Sequence, residues 1–492
     1  MTPRRGHALR YPTHAMGTIT NALVAVRCVL PLMLLLASSA HAQSTALVGG
    51  TVIDGTGRSI SGATVVVTGD RIACVGSAAE CPVPAGATRV DATSRFITPG
   101  LVDAHVHFSQ TGWVDGRPDG LPAPAIYPYA ETARALRANP ERWYRSYLCS
   151  GITAVYDVGG HPWTTALHGK AERDPMAPHV RAAGPLITHA GRSALNLDDE
   201  IYTFLPMATS AEVQSSVAKL KAMGAQAVKV WYLAPQPTRR TELDARMMEV
   251  GAAAKAAGLD LIVHATGLRE AKVALRAGAV LLVHSVEDQP VDEEFLRLLS
   301  ANRSVYAPTL IVGRNATRAN VAIGLGQRFP IDDPGRCVDK ATVAKVNNVE
   351  PLRPLIPEDR RSVDVAFRRL EAVGARVALM GENLQRVHAS GNTIVVATDA
   401  GNPLTLHGPS IYNEMEAMQA AGIKAADIVV MATRNGARAM GRERDFGTLE
   451  AGRIADLLVL TEDPRTDIAA FRSLTHVMRA GRLHRQSELT AR

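Results

Sequence analysis

The chain has 492 residues, 46% of them apolar and 4% aromatic, which is enough for a large buried core and too long for one small domain. The net charge is +7, but Arg4, Arg5, Arg10 and Arg27 supply part of it near the N-terminus. No Lys/Arg block tracks a phosphate backbone, so nucleic acid is not an expected partner.

The basic N-terminus leads into an apolar run, Cys28–Ala37, and then Ala40-His41-Ala42, a small-x-small cleavage pattern. Residues 1–42 are therefore predicted to be a signal peptide, with Gln43 as the first mature residue and a periplasmic or secreted destination. The run is short for a bilayer, so no stable membrane span is expected after cleavage. Residues 43–97 read as strands at Ala46–Ile53, Ala63–Thr68, Arg71–Val75 and Arg95–Pro99, with turns at Asp54-Gly55 and Gly69-Asp70. Cys74 and Cys81 flank a hairpin-like stretch and can form a disulfide in an oxidising compartment.

Across residues 98–443 short apolar runs alternate with helical patterns. The expected strands are Leu101–His105, Ala154–Val158, Val180–Ala183, Ala227–Trp231, Leu261–His264, Leu281–His284, Val305–Pro308 and Ile394–Thr398. Helices are expected at Thr209–Met223, Thr241–Ala257 and Leu268–Ala277, stopped by Gly224, Gly258 and Gly278. Eight such units predict a (β/α)8 TIM barrel. Residues 313–391 are too many for a simple connection, and Asp359–Val373 reads as a helix within them. This insertion is expected over the C-terminal mouth as a lid or specificity element. Arg361, Arg368, Arg369 and Arg376 on it read as a solvated face. Residues 444–485 return to strand character at Leu457–Leu460 and His476–Ala480, so both termini are expected to build one small β-sandwich domain.

His105 and His107 are two apart on the first barrel strand, which points both rings to one face. Three later strands end an apolar run on a polar residue: His264, His284 and Asp399. Burying such groups is costly unless they are partnered. Four histidines and an aspartate at one mouth are ligands for zinc or a similar divalent ion. Lys229, inside the fourth strand, is costly there unless paired or modified. It becomes a carbamate that bridges two metals, stays a cation for a substrate carboxylate, or has a structural role. Expected substrate contacts are Tyr232 toward the carbonyl, His189 and Arg192 toward a carboxylate, and His407 as an orienting group. Trp113 and Asp115 are added by position alone.

Phe96-Ile97-Thr98-Pro99-Gly100-Leu101-Val102-Asp103-Ala104-His105-Val106-His107, the stretch Ala432–Gly441, and Gly447–Val459 followed by Asp463-Pro464 resemble the amidohydrolase superfamily over residues 46 to 485. Within it the chain resembles the branch of imidazolonepropionase-like enzymes and Xaa-Pro dipeptidases. The resemblance implies a distorted barrel with a β-sandwich from both termini. It also implies His105 and His107 on the more buried metal, and His264 and His284 on a second. Lys229 would be the N6-carboxylysine bridge between two ions, and Asp399 both ligand and proton shuttle. The implied reaction is hydrolysis of a carbon–nitrogen bond in a dipeptide, acyl amino acid or cyclic amide, with a metal-activated hydroxide as nucleophile. Trp231-Tyr232-Leu233-Ala234-Pro235-Gln236-Pro237 replaces the Gly-rich segment common after this lysine in the dipeptidase-like members, and Lys229 itself argues against imidazolonepropionase activity. Lactone opening, ring deamination or a non-catalytic periplasmic binding role stay open as alternatives, as does a homo-oligomer.

Overall fold

The computed structural model describes residues 44–191 and 193–491. The expected signal peptide and cleavage site, and Arg192, lie outside the described residues. The N-terminal strands are β1 (Ser44–Ile53), β2 (Ser59–Thr68), β3 (Arg71–Gly76), β4 (Thr88–Asp91) and β5 (Phe96–Pro99). The C-terminal strands are β16 (Leu457–Leu460), β17 (Leu474–Arg479) and β18 (Arg482–Arg485). They form one sheet in the order β18-β17-β16-β5-β1-β2-β3, with β4 beside β1. The β5–β16 pairing, Ile97 opposite Val459, joins the two ends of the chain. A bridge between Arg71 and Ile454 ties the β3 edge to the segment leading into β16. Leu47, Val65, Ile97, Leu457 and Met478 fill the space enclosed.

The barrel strands are β6 (Leu101–Val106), β7 (Ile152–Asp157), β8 (His179–Ala182), β9 (Leu186–Thr188), β10 (Phe204–Pro206), β11 (Ala227–Trp231), β12 (Asp260–His264), β13 (Leu281–Val283), β14 (Val305–Ala307) and β15 (Thr393–Ile394). They pair in parallel as β6-β7-β8 and as β10-β9-β11-β12-β13-β14-β15. Gln226 N donating to Ala182 O at 2.9 Å joins β8 to the start of β11. Ala104 N to Val396 O at 3.1 Å and Asp399 N to His105 O at 2.8 Å close the last strand on the first. The fold is a distorted (β/α)8 barrel carrying a β-sandwich built by both termini.

All eight expected barrel strands are present, and β9 and β10 are additions. The eighth departs from a regular ladder after Ile394 because side-chain bonds replace it: Asp103 accepts from both Thr398 N and Thr398 Oγ1. Gly224, Gly258 and Gly278 do close their helices, at φ of 79°, 67° and 89°.

The insertion contains helices Val312–Leu325, Lys340–Val346 and Val363–Ala389. The last is 27 residues, longer and later than Asp359–Val373. Ser362 caps it by accepting from Val365 N, which sets its start. It runs through Gly374, where an added Cβ would meet nothing, and Gly381, where an added Cβ would lie 3.2 Å from Ala421 Cβ. Trp113 and Asp115 do not line the cavity; they anchor the insertion. Trp113 is fully buried beside Ile323, Val349 and Leu352, and Asp115 accepts from Thr111 Oγ1 and Lys345 Nζ. Disulfides join Cys74 to Cys81 and Cys149 to Cys337, the second tying the insertion to the barrel. No helix among the described residues is long and apolar enough to cross a membrane.

Candidate metal centre

His105, His107, Lys229, His264, His284 and Asp399 all line one cavity of about 240 Å³ at the C-terminal ends of the strands. The tightest grouping is His105, His284 and Asp399, whose ligand atoms lie within 4.8 Å of one another. His107 Nε2 is 3.2 Å from His105 Nε2 and 2.8 Å from Asp399 Oδ1. The His264 and His284 ring centres are 4.4 Å apart.

Proton positions decide what this cluster can hold. His107 Nδ1 donates to the Gly159 carbonyl at 2.5 Å, so in the neutral ring Nε2 offers a lone pair. Asp399 Oδ1, although close, has no hydrogen-bond partner. Burial holds His105 and His264 well below the ordinary imidazole value and His284 at about 4, so these rings are neutral at pH 7. Burial alone would raise Asp399, but the His105 and His107 rings outweigh it and the carboxylate stays ionised. The ligand atoms of His105, His107, His284 and Asp399 therefore crowd one buried point. Neutral imidazoles plus a carboxylate fit a divalent cation of the zinc type.

The backbone is bent to make this cluster. His284 and Asp399 have φ of 75° and 63°, and Thr309, whose hydroxyl meets His284 Nδ1 at 2.7 Å, has φ of 46°. Non-glycine residues in this region cost about 1–3 kcal/mol each and concentrate at functional sites. Glu414, fully buried, holds the Thr309 loop by accepting from Leu310 N and Ile311 N. Lys229 is 1% exposed, and burial lowers its amine to about 7, with Asp399 and Asp157 opposing.

The expected substrate contacts fare differently. Tyr232 does not face the cavity; its hydroxyl donates to Asp244. His189 Nε2 donates to the Leu233 carbonyl and its ring packs on Tyr232. His407 is buried between the Tyr147 hydroxyl (2.6 Å) and the Gln110 carbonyl (3.0 Å), stacked on Trp143, and supports the wall behind the site. Tyr232 and His407 follow a candidate ligand and His189 follows a barrel strand, but each ring turns away into packing. The cavity instead presents Gln110, Arg117, Asn402 and Arg376, which sequence reasoning missed or, for Arg376, assigned to solvent. Arg117 donates to Asp119 with two nitrogens and to Asn402.

The family model described as "Amidohydrolase family" matches residues 96–483. Ochratoxinase of Aspergillus niger is 24% identical over 483 residues, covering 92% of this chain and 88% of its own. An imidazolonepropionase of Streptomyces coelicolor is 32% identical over 122 residues, covering 23% of this chain and 31% of its own. Among solved structures, a Xaa-Pro dipeptidase with bound methionine matches with a TM-score of 0.67 at 21% identity, over 90% of this chain and 100% of that one. The A. niger ochratoxinase structure matches with a TM-score of 0.65 at 21% identity, over 90% and 96%.

Proposed function

Because the chain belongs to the amidohydrolase family, we propose that it is an exported, metal-dependent hydrolase that cleaves a carbon–nitrogen bond of a small amide. The carrying observation is the convergence of buried ligand atoms from His105, His107, His284 and Asp399 on one point of the cavity. The names of the ochratoxinase and Xaa-Pro dipeptidase relatives support a dipeptide, acyl amino acid or cyclic amide as substrate. His105 and His107 would hold the more buried ion and His264 and His284 a second, and Lys229, if carboxylated on Nζ, would supply a ligand to both. Its depressed basicity supports this, since only the neutral amine can take up carbon dioxide.

When bound, a divalent cation supplies Lewis-acid activation of water and of the scissile carbonyl. The protein does the rest. Asp399, ionised, accepts the proton of the attacking water at its carboxylate and returns it to the leaving nitrogen. The His107–Gly159 and His284–Thr309 contacts fix which ring nitrogen faces the cation. The cavity is smaller than most drug-sized pockets, which suits a small molecule and limits water. The two disulfides support export, because such bonds persist in oxidising compartments.

Elemental analysis of the purified protein, with a panel of dipeptides and acyl amino acids, tests this reading. Two ions per chain are expected, falling to one or fewer in Lys229→Ala. One ion in both proteins overturns the bridged pair. Amide hydrolysis by a metal-free wild type overturns the metal dependence.

A further inference from the structure

The insertion helix Val363–Ala389 sends Val373, Arg376, Val377 and Met380 into the lining of the metal-site cavity. Their i, i+3, i+4, i+7 spacing puts them on one helical face. Val312 and Ala316 of the neighbouring helix extend the apolar surface. Across from it, Phe204 stacks on Trp231 with ring centres 5.2 Å apart. The cavity is thus a slot with apolar walls and a guanidinium at its rim.

Two arginines line this slot, and they are not equivalent. Arg117 is committed to Asp119 and Asn402. Arg376 has a loose ion pair with Glu287, 3.9 Å between Nη1 and Oε2, with the side chains 52% and 31% exposed. A pair that long and that wet is worth little, so exchanging it for another carboxylate costs little. A guanidinium can also grip an incoming carboxylate with two parallel hydrogen bonds, which the present contact lacks.

We propose that Arg376 is the carboxylate anchor of the substrate subsite, that Val373, Val377 and Met380 pack the substrate's apolar side chain, and that Glu287 competes for the anchor. This rests on the hydrolase reading above and narrows it. The substrate is an amide that carries a free carboxylate beside a large apolar or aromatic group. Specificity then resides in the insertion rather than in the barrel.

The experiment compares kcat/KM for N-benzoyl-phenylalanine and for its neutral carboxamide in the metal-loaded full-length enzyme, wild type against Arg376→Gln and Glu287→Gln. Wild type should prefer the acid at least tenfold. Arg376→Gln should collapse that ratio through KM, and Glu287→Gln should raise it. A merely structural helix would move both substrates together and would not give the two variants opposite signs. A ratio near one in wild type, or one unchanged by both variants, overturns the subsite and leaves the hydrolase standing. If wild type hydrolyses neither compound, the hydrolase reading is what suffers. The subsite is then read by calorimetric binding of N-benzoyl-phenylalanine: weaker binding to Arg376→Gln supports it, and equal binding overturns it.

Discussion

Asp103 and Thr398 tie the first barrel strand to the last directly beneath the metal site. Thr398 Oγ1 donates to Asp103 Oδ2 at 2.6 Å and Thr398 N to Oδ1 at 3.0 Å. The next residue is Asp399, held at φ 63°. The position proposed for the proton shuttle therefore depends on a buried carboxylate that does not line the cavity. Thr398→Val strips one donor from Asp103 and should cost about 1–3 kcal/mol of stability. It should also lower kcat/KM about tenfold or more by misplacing Asp399. Denaturation midpoints and steady-state kinetics check this, and Thr398→Ser should behave like wild type.

Thr309 orients the His284 ring through its 2.7 Å contact with Nδ1. Partners of this kind typically change metal affinity by roughly 10–100-fold when removed. Thr309→Val should weaken binding by that factor in chelator competition. Thr309→Ser keeps the hydroxyl and should retain affinity.

The two disulfides differ in what they close. Cys149 and Cys337 are 188 residues apart and Cys74 and Cys81 only 7. Loop-closure entropy gives ~5 kcal/mol for the first and ~2 kcal/mol for the second. The double variant Cys149→Ala/Cys337→Ala should therefore lose more in chemical denaturation than Cys74→Ala/Cys81→Ala. Equal losses would mean that the insertion is held by packing alone.

That these residues share one cavity was legible because each polar residue ends an apolar strand: His264 after Leu-Ile-Val, His284 after Leu-Leu-Val. Period two did the same for His105 and His107. Their supports were not legible, since Gly159, Thr309, Asp103 and Glu414 act across long sequence separations and no local pattern marks them. Tyr232 and His407 show the converse error, where proximity to a ligand was read as a role although the side chains turn to Asp244 and to Tyr147. The insertion helix was expected at Asp359–Val373 but runs on through Gly374, although a mid-helix glycine costs about 1 kcal/mol. Packing of Ala366, Val373, Met380 and Leu384 carries it through. Arg376 was grouped with solvated arginines of the same stretch, because charge alone does not show which helical face meets the cavity.

At the opposite end of the barrel, His179 is buried between Asp456 and Glu172, 2.9 Å from each. Burial pulls its pKa down, but the two carboxylates more than offset this and the net direction is up from 6.5. A raised folded-state value means its contribution is fully present below about pH 6.5 and fades as pH rises through the folded value. The midpoint gap between wild type and His179→Gln should thus be largest near pH 6, on the order of 3 kcal/mol, and narrow toward pH 9. A gap that widens with pH would contradict the charged pairing.

The most direct test of the central claim is a chelation and reconstitution cycle on the full-length protein, read by metal content and by hydrolysis of an N-acyl amino acid. Stripped wild type should lose activity and regain it with zinc or a similar divalent ion. His105→Ala and Asp399→Ala should hold less metal and regain none. Undiminished amide hydrolysis by stripped protein, with metal at background, would contradict the assignment of His105, His107, His264, His284 and Asp399 as the reactive centre.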